Sequence, residues 1–404
     1  MNLSKVGIPA YPKEVEVWWR EQAACAWPEE GEAKTSGRLR GEIVRQSDLF
    51  NKERDFSPRS YGSRDASLLA YGNFFFPRTW TQLAHVLGEM FHFRNWAPPR
   101  KGPLRLLDLG CGTGAAGLSA LRFLRAEKIP NPLKIRAVDY SGKSLDYLRR
   151  LHADLSPLWP DSTLKTERRD LREELDLRPK DRHDLVLLSS SFNEFVPPDD
   201  SETNAATATL ASLGRLLKPG GLLLVLEPAL RATAERLHLA AAQVAATTEL
   251  HLHAPYFNGL PCPMALEGCK HHSHEVRPWK APATAQTLNA PLGLNLRDLK
   301  FSFVALSLKA PETFPPGTLR LVSPISKKKG HYRFVGIDAN GKEYACEIQT
   351  RDLAPQGQKT LERLNRGDVI RLKNPQAIGQ ENRLRLSSLE NLEPLFCPTL
   401  VQEG

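Results

Sequence analysis

The sequence predicts an α/β protein whose central part is a mostly parallel, doubly wound sheet. Three observations carry this prediction. Strand-like and helical segments alternate from about residue 104 to 310, a glycine-rich turn follows the first strand, and a series of short strand-like segments comes after the alternating part. A chain of 404 residues is too long for one ordinary domain. We therefore expect a helical N-terminal region over residues 1–100, an α/β domain over 101–310 and a small β domain over 318–394.

The central part contains six candidate strands. The first five are continuous apolar runs, which is typical of parallel strands buried on both faces. The six are Leu104–Leu109, Lys134–Asp139, Leu164–Arg168, Leu185–Ser189, Gly221–Glu227 and Phe301–Leu308. Before them, apolar side chains recur at helical spacing over Thr79–Phe93, which predicts a helix in the N-terminal region.

The last part has shorter strand-like segments and one short helix, Leu361–Leu364. Asn340-Gly341 separates two of these segments and is a strong hairpin signal. Five short strands with one helix favour a small barrel of the OB type. The five are Leu319–Val322, His331–Ile337, Lys342–Gln349, Val369–Lys373 and Arg383–Ser387.

Composition narrows the functional classes. The chain is 41% hydrophobic and 25% charged, as in ordinary globular proteins, with a net charge of +9. That excess is compatible with a polyanion such as RNA, although many proteins of similar charge bind none. No apolar run approaches the roughly 20 residues of a membrane helix, and no secretory or transit signal is recognisable. Six cysteines in a chain of this length do not make a disulfide framework, so we expect a cytoplasmic protein with reduced thiols.

The strongest chemical signal is the turn after the first strand, Asp108-Leu-Gly110-Cys111-Gly112-Thr-Gly114. Glycines let a ligand approach the backbone, and the following helix offers free N–H groups. A carboxylate two residues before the first glycine suits a cationic group such as the ammonium of S-adenosylmethionine. The same glycines, with Gly117, also satisfy the dinucleotide fingerprint, so the turn alone does not decide between the two ligands.

The later strand ends favour S-adenosylmethionine. Asp139 and Tyr140 end the second strand, where an acid can hold both ribose hydroxyls, and Asp170 follows the third, where it can accept from the adenine amino group. A Lys-Pro-Gly-Gly turn over residues 218–221, for which a dehydrogenase has no use, precedes the fifth strand. This succession resembles the class I S-adenosylmethionine-dependent methyltransferases, with their Rossmann-like fold. The resemblance implies cofactor contacts from Asp108, Gly110, Cys111, Gly112, Gly114, Asp139, Tyr140, Asp170, Leu171 and Ser189.

The residues expected to contact the methyl acceptor say less about the substrate. Enzymes that methylate exocyclic base nitrogens often carry an Asn/Asp-Pro-Pro-aromatic run after the fourth strand, but residues 190–195 read Ser-Ser-Phe-Asn-Glu-Phe. Asn193 and Glu194 could contact an acceptor, but a helix cap and a solvated face are the favoured interpretation of these two residues. Pro261-Cys262 lies beyond the fifth strand, the wrong place for a cytosine-methylating cysteine. No catalytic residue is assigned.

A Cys/His-rich loop lies within residues 251–280. Cys262 and Cys269 are seven positions apart, and His271, His272 and His274 follow. Thiolates with imidazoles suit zinc or an iron–sulfur cluster. The alternative is a polar loop with incidental histidines and two buried cysteines.

The order of these features resembles the Rsm-type family of methyltransferase-like proteins, known best as assembly factors of the mitochondrial small ribosomal subunit, with bacterial relatives. The Tyr71–Trp80 stretch also looks like that family's helical lead-in. In that family three loop cysteines and one from the C-terminal domain hold a four-iron four-sulfur cluster. Carried over, Cys262 and Cys269 match loop positions, and a histidine must replace the third cysteine.

Two further ligands complete the implied metal site. His272 is preferred for its Cys-x-x-His spacing from Cys269. Cys346 lies on a predicted strand beside the family's fourth ligand position. A two-residue turn at Asn340-Gly341 would pair it with Val335. The site would hold a 4Fe-4S cluster, or zinc.

The small β domain suggests the partner. Lys327, Lys328 and Lys329 precede Tyr332 and Phe334. Basic loops beside exposed aromatic rings fit single-stranded RNA, and a solvated loop with core aromatics accounts for the residues equally well. With the resemblance, the sequence predicts a methyltransferase-fold protein acting on or with small-subunit ribosomal RNA. A catalytically weak assembly factor that keeps cofactor binding, or a protein or small-molecule methyltransferase, are the alternatives.

Overall fold

The computed structural model describes residues 5–50, 62–172, 181–196, 202–266, 269, 271–379 and 381–401. The N-terminal part is mainly helical, as predicted. A π-helical turn, Tyr71–Phe75, joins its last two helices. The elements of this part are β1 (Lys5–Pro9), α1 (Lys13–Ala26), α2 (Glu32–Asp48), α3 (Asp65–Ala70) and α4 (Phe76–His92).

The central part alternates strands and helices. Its elements are β2 (Leu104–Leu109), α5 (Ala115–Ala126), β3 (Leu133–Asp139), α6 (Gly142–Asp154), β4 (Ser162–Arg168), β5 (His183–Ser189), α7 (Phe192–Phe195), α8 (Glu202–Gly214), β6 (Leu217–Pro228), α9 (Arg231–Thr247), β7 (His251–Ala254), β8 (Glu275–Pro278), α10 (Ala283–Asn289) and β9 (Asp298–Ser307). All six predicted strands are present. The short strands β7 and β8 were not predicted because four residues are too few to show an apolar period.

The central sheet has the order β4-β3-β2-β5-β6-β9-β7, and β8 pairs with the other end of β9. Strands β2 to β6 are parallel, whereas β7, β8 and β9 are antiparallel to their neighbours. Chain order reverses direction at β2, so a crevice opens between the carboxyl ends of β2 and β5, where ligands bind in doubly wound folds.

Successive side chains of the strands bury into two different cores. Leu106 and Leu185 pack on one face with residues of α4, α5 and α6. Leu107 and Val186 pack on the other face with residues of α8 and α9. Because both faces are covered, the strands read as unbroken apolar runs. The predicted doubly wound, Rossmann-like α/β fold is therefore confirmed.

The C-terminal part is rich in strands. Its elements are β10 (Thr318–Leu321), β11 (Ser326–Lys328), β12 (His331–Asp338), β13 (Glu343–Gln349), α11 (Pro355–Leu361), β14 (Val369–Leu372), β15 (Gln376–Ala377), β16 (Arg383–Leu386) and β17 (Leu392–Val401). All five predicted strands are present, and the helix lies slightly earlier than predicted. The sheet order is β1-β17-β14-β10-β12-β13-β16-β15, with β11 on β12. The predicted strand-rich C-terminal domain is confirmed, and among the described strands its pairings form one open path and not a closed ring.

Two strands at one end of this sheet differ from the prediction. Strand β17 contains Pro394 and Pro398, which lack the N–H that a ladder needs, so its sequence does not read as a strand. Strand β1, which belongs to the region predicted as helical, pairs parallel with β17, Lys5 opposite Cys397. The first and last described strands of the chain therefore lie side by side.

The hairpin between β12 and β13 has a three-residue loop rather than a two-residue turn. Asp338 accepts hydrogen bonds from the backbone N–H of Asn340 (2.9 Å) and Lys342 (2.8 Å), which stabilises the longer loop. The pairing shifts by one, and Cys346 lies opposite Phe334 instead of Val335. A one-residue shift turns a side chain to the other face of the sheet, and Cys346 packs inside the C-terminal core.

A buried network of charges joins the C-terminal sheet to the rest of the molecule. Arg320 of β10 contacts Glu89 of α4 at 2.9 Å and Glu275 of β8 at 2.7 Å. Arg277 of β8 contacts Glu275 at 3.0 Å and Asp368, just before β14, at 2.5 Å. All five side chains are at least 94% buried. We call these five residues the domain junction.

Candidate functional site

A cavity of about 470 Å³ lies at the carboxyl ends of the parallel strands. Every sequence-predicted cofactor residue except Gly114 lines it. These are Asp108, Gly110, Cys111, Gly112, Asp139, Tyr140, Asp170, Leu171 and Ser189. Gly114 instead begins α5 with a φ of +91°, and a Cβ there would lie 2.3 Å from the side chain of Leu148. Its role is to let α6 pack closely against the turn.

The glycines after β2 are required by the backbone. Gly110 and Gly112 have φ values of +65° and +52°, which other residues rarely adopt. A Cβ at Gly110 would lie 2.4 Å from the Cβ of Ser191, whereas one at Gly112 meets nothing within 4 Å. The turn is therefore tight at Gly110 and open at Gly112, where a ligand can approach the chain.

Asp108 is the most deeply buried of the aspartates that line the cavity. It is 1% exposed, and its Oδ2 accepts a 2.9 Å hydrogen bond from the N–H of Gly117. Its Oδ1 is buried and, within the part of the chain that the structure describes, has no hydrogen-bond partner. Burial raises the pKa of Asp108 to about 7. A carboxylate in this state is suited to a cationic group brought by a ligand.

Asp139 supports the glycine turn. Its Oδ2 accepts from the N–H of Gly112 and its Oδ1 from the N–H of Ser141, both at 2.8 Å. Burial raises its pKa to about 6 despite these two bonds. Each oxygen keeps a second lone pair, so Asp139 can still accept from ligand hydroxyls while it holds the turn.

Asp170 and Cys111 have different surroundings. Asp170 is bonded by the guanidinium of Arg172 at 2.9 and 2.5 Å, and these hydrogen bonds lower its pKa. The Cys111 thiol is buried near Asp139 and Asp108. Burial, reinforced by those charges, holds the pKa of Cys111 well above its usual value. Cys111 is therefore a neutral thiol and not a nucleophile.

One wall of the cavity was not predicted from the sequence. The π-helical turn between α3 and α4 contributes Tyr71, Phe74 and Phe75, and the first turn of α4 contributes Arg78. Lys300 of β9 lines the cavity as well. Single π turns recur at functional sites. The density of aromatic residues between positions 71 and 80 is the signal that could have identified this wall.

On the remaining side, α7 places Asn193 and Glu194 on the cavity. These are the two residues that the sequence offers as contacts for a methyl acceptor. The backbone N–H of Asn193 lies 3.4 Å from Oε1 of Glu227, which ends β6. The short helix is thereby held to the strand that follows the crevice.

The structure does not bring the predicted metal ligands together. Within the described residues no three His, Cys, Asp or Glu side chains form a group that could hold a metal ion. Cys262 and Cys269 share one small cluster of side chains. Cys346 lies in the C-terminal core, because the one-residue shift in the β12–β13 pairing turns it to the other face of the sheet. His272 Nε2 lies 3.1 Å from the carbonyl oxygen of Ala229, which accounts for this imidazole. The plainer interpretation, a polar loop with buried cysteines, fits this geometry.

The predicted RNA-binding aromatics are also placed differently. Tyr332 and Phe334 are buried in the C-terminal core, at 0% and 2% exposure, so they are not stacking platforms. Lys327 lies over the Tyr332 ring, with its Nζ 3.6 Å from Glu362. Lys328 and Lys329 remain exposed. Of the expected surface, the described structure retains the three lysines, and Lys327 and Lys328 lie on strand β11 and not in a loop. Among the described residues no helix is long and apolar enough to cross a membrane.

Comparison with known proteins supports the assignment of the central part. Residues 80–264 match a protein family described as a methyltransferase domain. No curated protein matches the chain. Solved structures with a similar course include the CMeT domain of the citrinin polyketide synthase (12% identity, 68% of this chain and 65% of that chain, TM-score 0.35). A methyltransferase from Methanosarcina mazei (14%, 55% and 96%, 0.29) and TrmN from Thermus thermophilus (16%, 57% and 52%, 0.30) are further examples.

The family match covers the glycine turn and strands β2 to β7. This segment therefore matches a methyltransferase-domain family and has a doubly wound, Rossmann-like fold. The cavity extends beyond the matched segment, because its aromatic wall precedes residue 80 and Lys300 follows residue 264.

Proposed function

We propose that this protein transfers a methyl group from S-adenosylmethionine to an acceptor bound in the same cavity. The observation that carries the proposal is the buried, unpartnered Oδ1 of Asp108 beside the open backbone of Gly112. Together they suit the ammonium end of the cofactor. Asp139 would receive the ribose and Asp170 the adenine. When bound, S-adenosylmethionine supplies a methyl group activated by a sulfonium.

The residues of the cavity then have mainly positioning tasks. In-line methyl transfer depends on holding two reactants in line, and much of the barrier can be lowered that way. Asp108 would fix the methionine end, and the wall of Tyr71, Phe74 and Phe75 would exclude water from the transfer path. Asn193 and Glu194 lie where an acceptor can be contacted. The alternative ligand, a nicotinamide dinucleotide, would need no ammonium partner at Asp108.

Calorimetry distinguishes these ligands. We expect the purified protein to bind S-adenosylhomocysteine, and Asp139→Ala to bind it much more weakly because the glycine turn loses its support. Lys101→Gln, an exposed change before β2 and at the opposite edge of the sheet, is the matched control and should bind normally. Tight binding of NADH together with no response to S-adenosylhomocysteine would contradict the proposal.

We further propose that the acceptor or partner is RNA, with small-subunit ribosomal RNA as the first candidate. Support comes from the net charge of +9, the exposed Lys328 and Lys329, and the resemblance of the sequence to the Rsm-type family. Because Lys327 already contacts Glu362, the other two lysines should contribute most of the phosphate contacts. Replacing all three lysines by alanine should lower RNA affinity and reduce the logarithmic salt slope by about two. An unchanged slope would mean that the three lysines only contact solvent.

A further inference from the structure

The aromatic wall gives one part of the cavity an apolar surface, on which Tyr71 and Phe75 are the more exposed rings. Phe75 is half-buried; its ring stacks on Tyr71 with centroids 6.0 Å apart and meets Phe74 edge-on at 5.1 Å. Gly72, inside the π turn, cannot be larger because a Cβ there would lie 2.1 Å from the ring of Trp19. The wall is therefore fixed from behind, and a planar group can pack on it.

Two cations line the same cavity without a carboxylate. Arg78 is half-buried, and its one hydrogen bond in the described structure runs from Nη1 to the carbonyl oxygen of Asn295 at 3.4 Å. Lys300 is exposed, and within the described residues it has no ion pair. Arg320, by contrast, contacts two carboxylates. Even a half-buried guanidinium with a single weak neutral partner is more stable when a ligand supplies the negative charge.

Among the described residues, the other charged groups that line the cavity, Glu194 included, form no ion pair with Arg78 or Lys300. Arg172 is held by Asp170. Asp108 and Asp139 bond the N–H groups of the glycine turn and of the backbone beside it. The cavity thus combines carboxylates at the glycine turn with available cations on α4 and β9.

We propose that Arg78 and Lys300 bind an anionic group, phosphate or carboxylate, of the methyl acceptor, whose planar part packs on Tyr71, Phe74 and Phe75. This inference rests on the proposed methyl-transfer function and adds the chemical class of the acceptor. The guanidinium fork of Arg78 is suited to two-point contact with either anion. The carboxylate of the cofactor is the competing source of negative charge.

Matched probe pairs test the proposal on protein saturated with S-adenosylhomocysteine. The pairs are uridine 5′-monophosphate with uridine, and 4-hydroxybenzoate with 4-hydroxybenzamide, titrated by calorimetry or saturation-transfer NMR. We expect the anionic member of a pair to bind about tenfold more tightly, as one charge-assisted contact implies. Arg78→Gln and Lys300→Gln should remove or reduce the preference, Arg78→Lys should keep part of it, and Lys101→Gln should leave it intact.

Three results would contradict the proposed anion site or the proposed function on which it rests. Equal binding of charged and neutral probes by the wild type overturns the anion site. If Arg78→Gln weakens S-adenosylhomocysteine but not 5′-methylthioadenosine, which lacks the amino-acid end, and spares the probe preference, then Arg78 serves the cofactor and the inference is wrong. If the wild type binds no S-adenosylhomocysteine, the proposed function fails instead, and the same probes titrated against ligand-free protein still decide the anion site. Unfolding temperatures of each variant exclude misfolding as the cause.

Discussion

The cofactor cavity and the domain junction both bury carboxylates, but only the junction neutralises them from within. Glu89 is buried, which by itself opposes ionisation, yet the charges of Arg320 and Arg94 outweigh burial and hold its pKa below the usual value. Asp108 is equally buried and has a backbone N–H as its one partner, so its pKa rises to about 7. Each junction carboxylate has an arginine partner, although burial still raises the pKa of Asp368 to about 6. In the cavity, Asp108 gains a counter-charge only with a ligand. This contrast separates a structural site from a binding site without reference to any homologue.

The largest expected effect comes from breaking the junction. Arg320→Met would leave Glu89 and Glu275 buried without their main counter-charge, and removing one partner of a buried pair costs about 3–5 kcal/mol. Urea unfolding of the variant should show this loss. The double variant Glu275→Gln/Arg320→Met should recover part of it, because Glu275 is then neutral, Glu89 keeps Arg94 and Arg277 keeps Asp368. A loss no larger than that of Lys101→Gln would contradict the role given to the junction.

Asp108→Asn tests the buried carboxylate of the cavity, which depends on a ligand for its counter-charge. The amide oxygen can still accept from Gly117, and the cost of a buried charge is removed, so the ligand-free protein should gain on the order of 1 kcal/mol at pH 8. Affinity for S-adenosylhomocysteine should fall about 10- to 100-fold because the ammonium loses its carboxylate. Thermal unfolding and calorimetry on one preparation measure both. Loss of stability without loss of affinity would mean that Asp108 is purely structural.

A smaller effect is expected from pH. The folded-state pKa of Asp108, about 7, lies above its usual value of 3.8, so protonation favours the folded, ligand-free protein, and its stability should decline as pH rises from about 4 through 7. Ligand affinity should change in the other direction. It should fall up to about tenfold as pH drops from 8 to 6, since the ammonium needs the ionised carboxylate. Calorimetry across this range checks the trend, which should flatten in Asp108→Asn; an equally steep profile there would assign it to another group, such as Asp139.

The sequence predicts best those parts of the site that are local in the chain. The glycine turn and Asp139 were identified because each sits at the end of a strand that its own residues define. The aromatic wall and Lys300 come from distant segments, and only tertiary packing brings them to the cavity. Cys346 shows the limit most sharply, because one extra loop residue, stabilised by Asp338, reversed the face on which it lies.

The same limit applies to predicting whether a side chain is exposed or buried. An aromatic residue on a short strand reads equally well as a core residue or as a stacking platform, and Tyr332 proved to be a core residue. Strand β17 was missed because its prolines argue against a ladder, although the register irregularity in its pairing with β14 accommodates the chain there. Local propensity thus predicted the secondary-structure elements well. Which strands pair across the sheets, and in which register, depends on tertiary packing.

The pairing of β1 with β17 has a consequence for how the chain reaches its fold. Lys5 lies opposite Cys397, so this ladder closes a loop of about 390 residues. The entropy of closing so long a loop must be met before the contact stabilises anything, and contacts of this kind form late. The β1–β17 edge should therefore be among the last parts of the C-terminal sheet to form. Until then β17 presents an unpaired edge, the kind of surface through which partly folded chains associate.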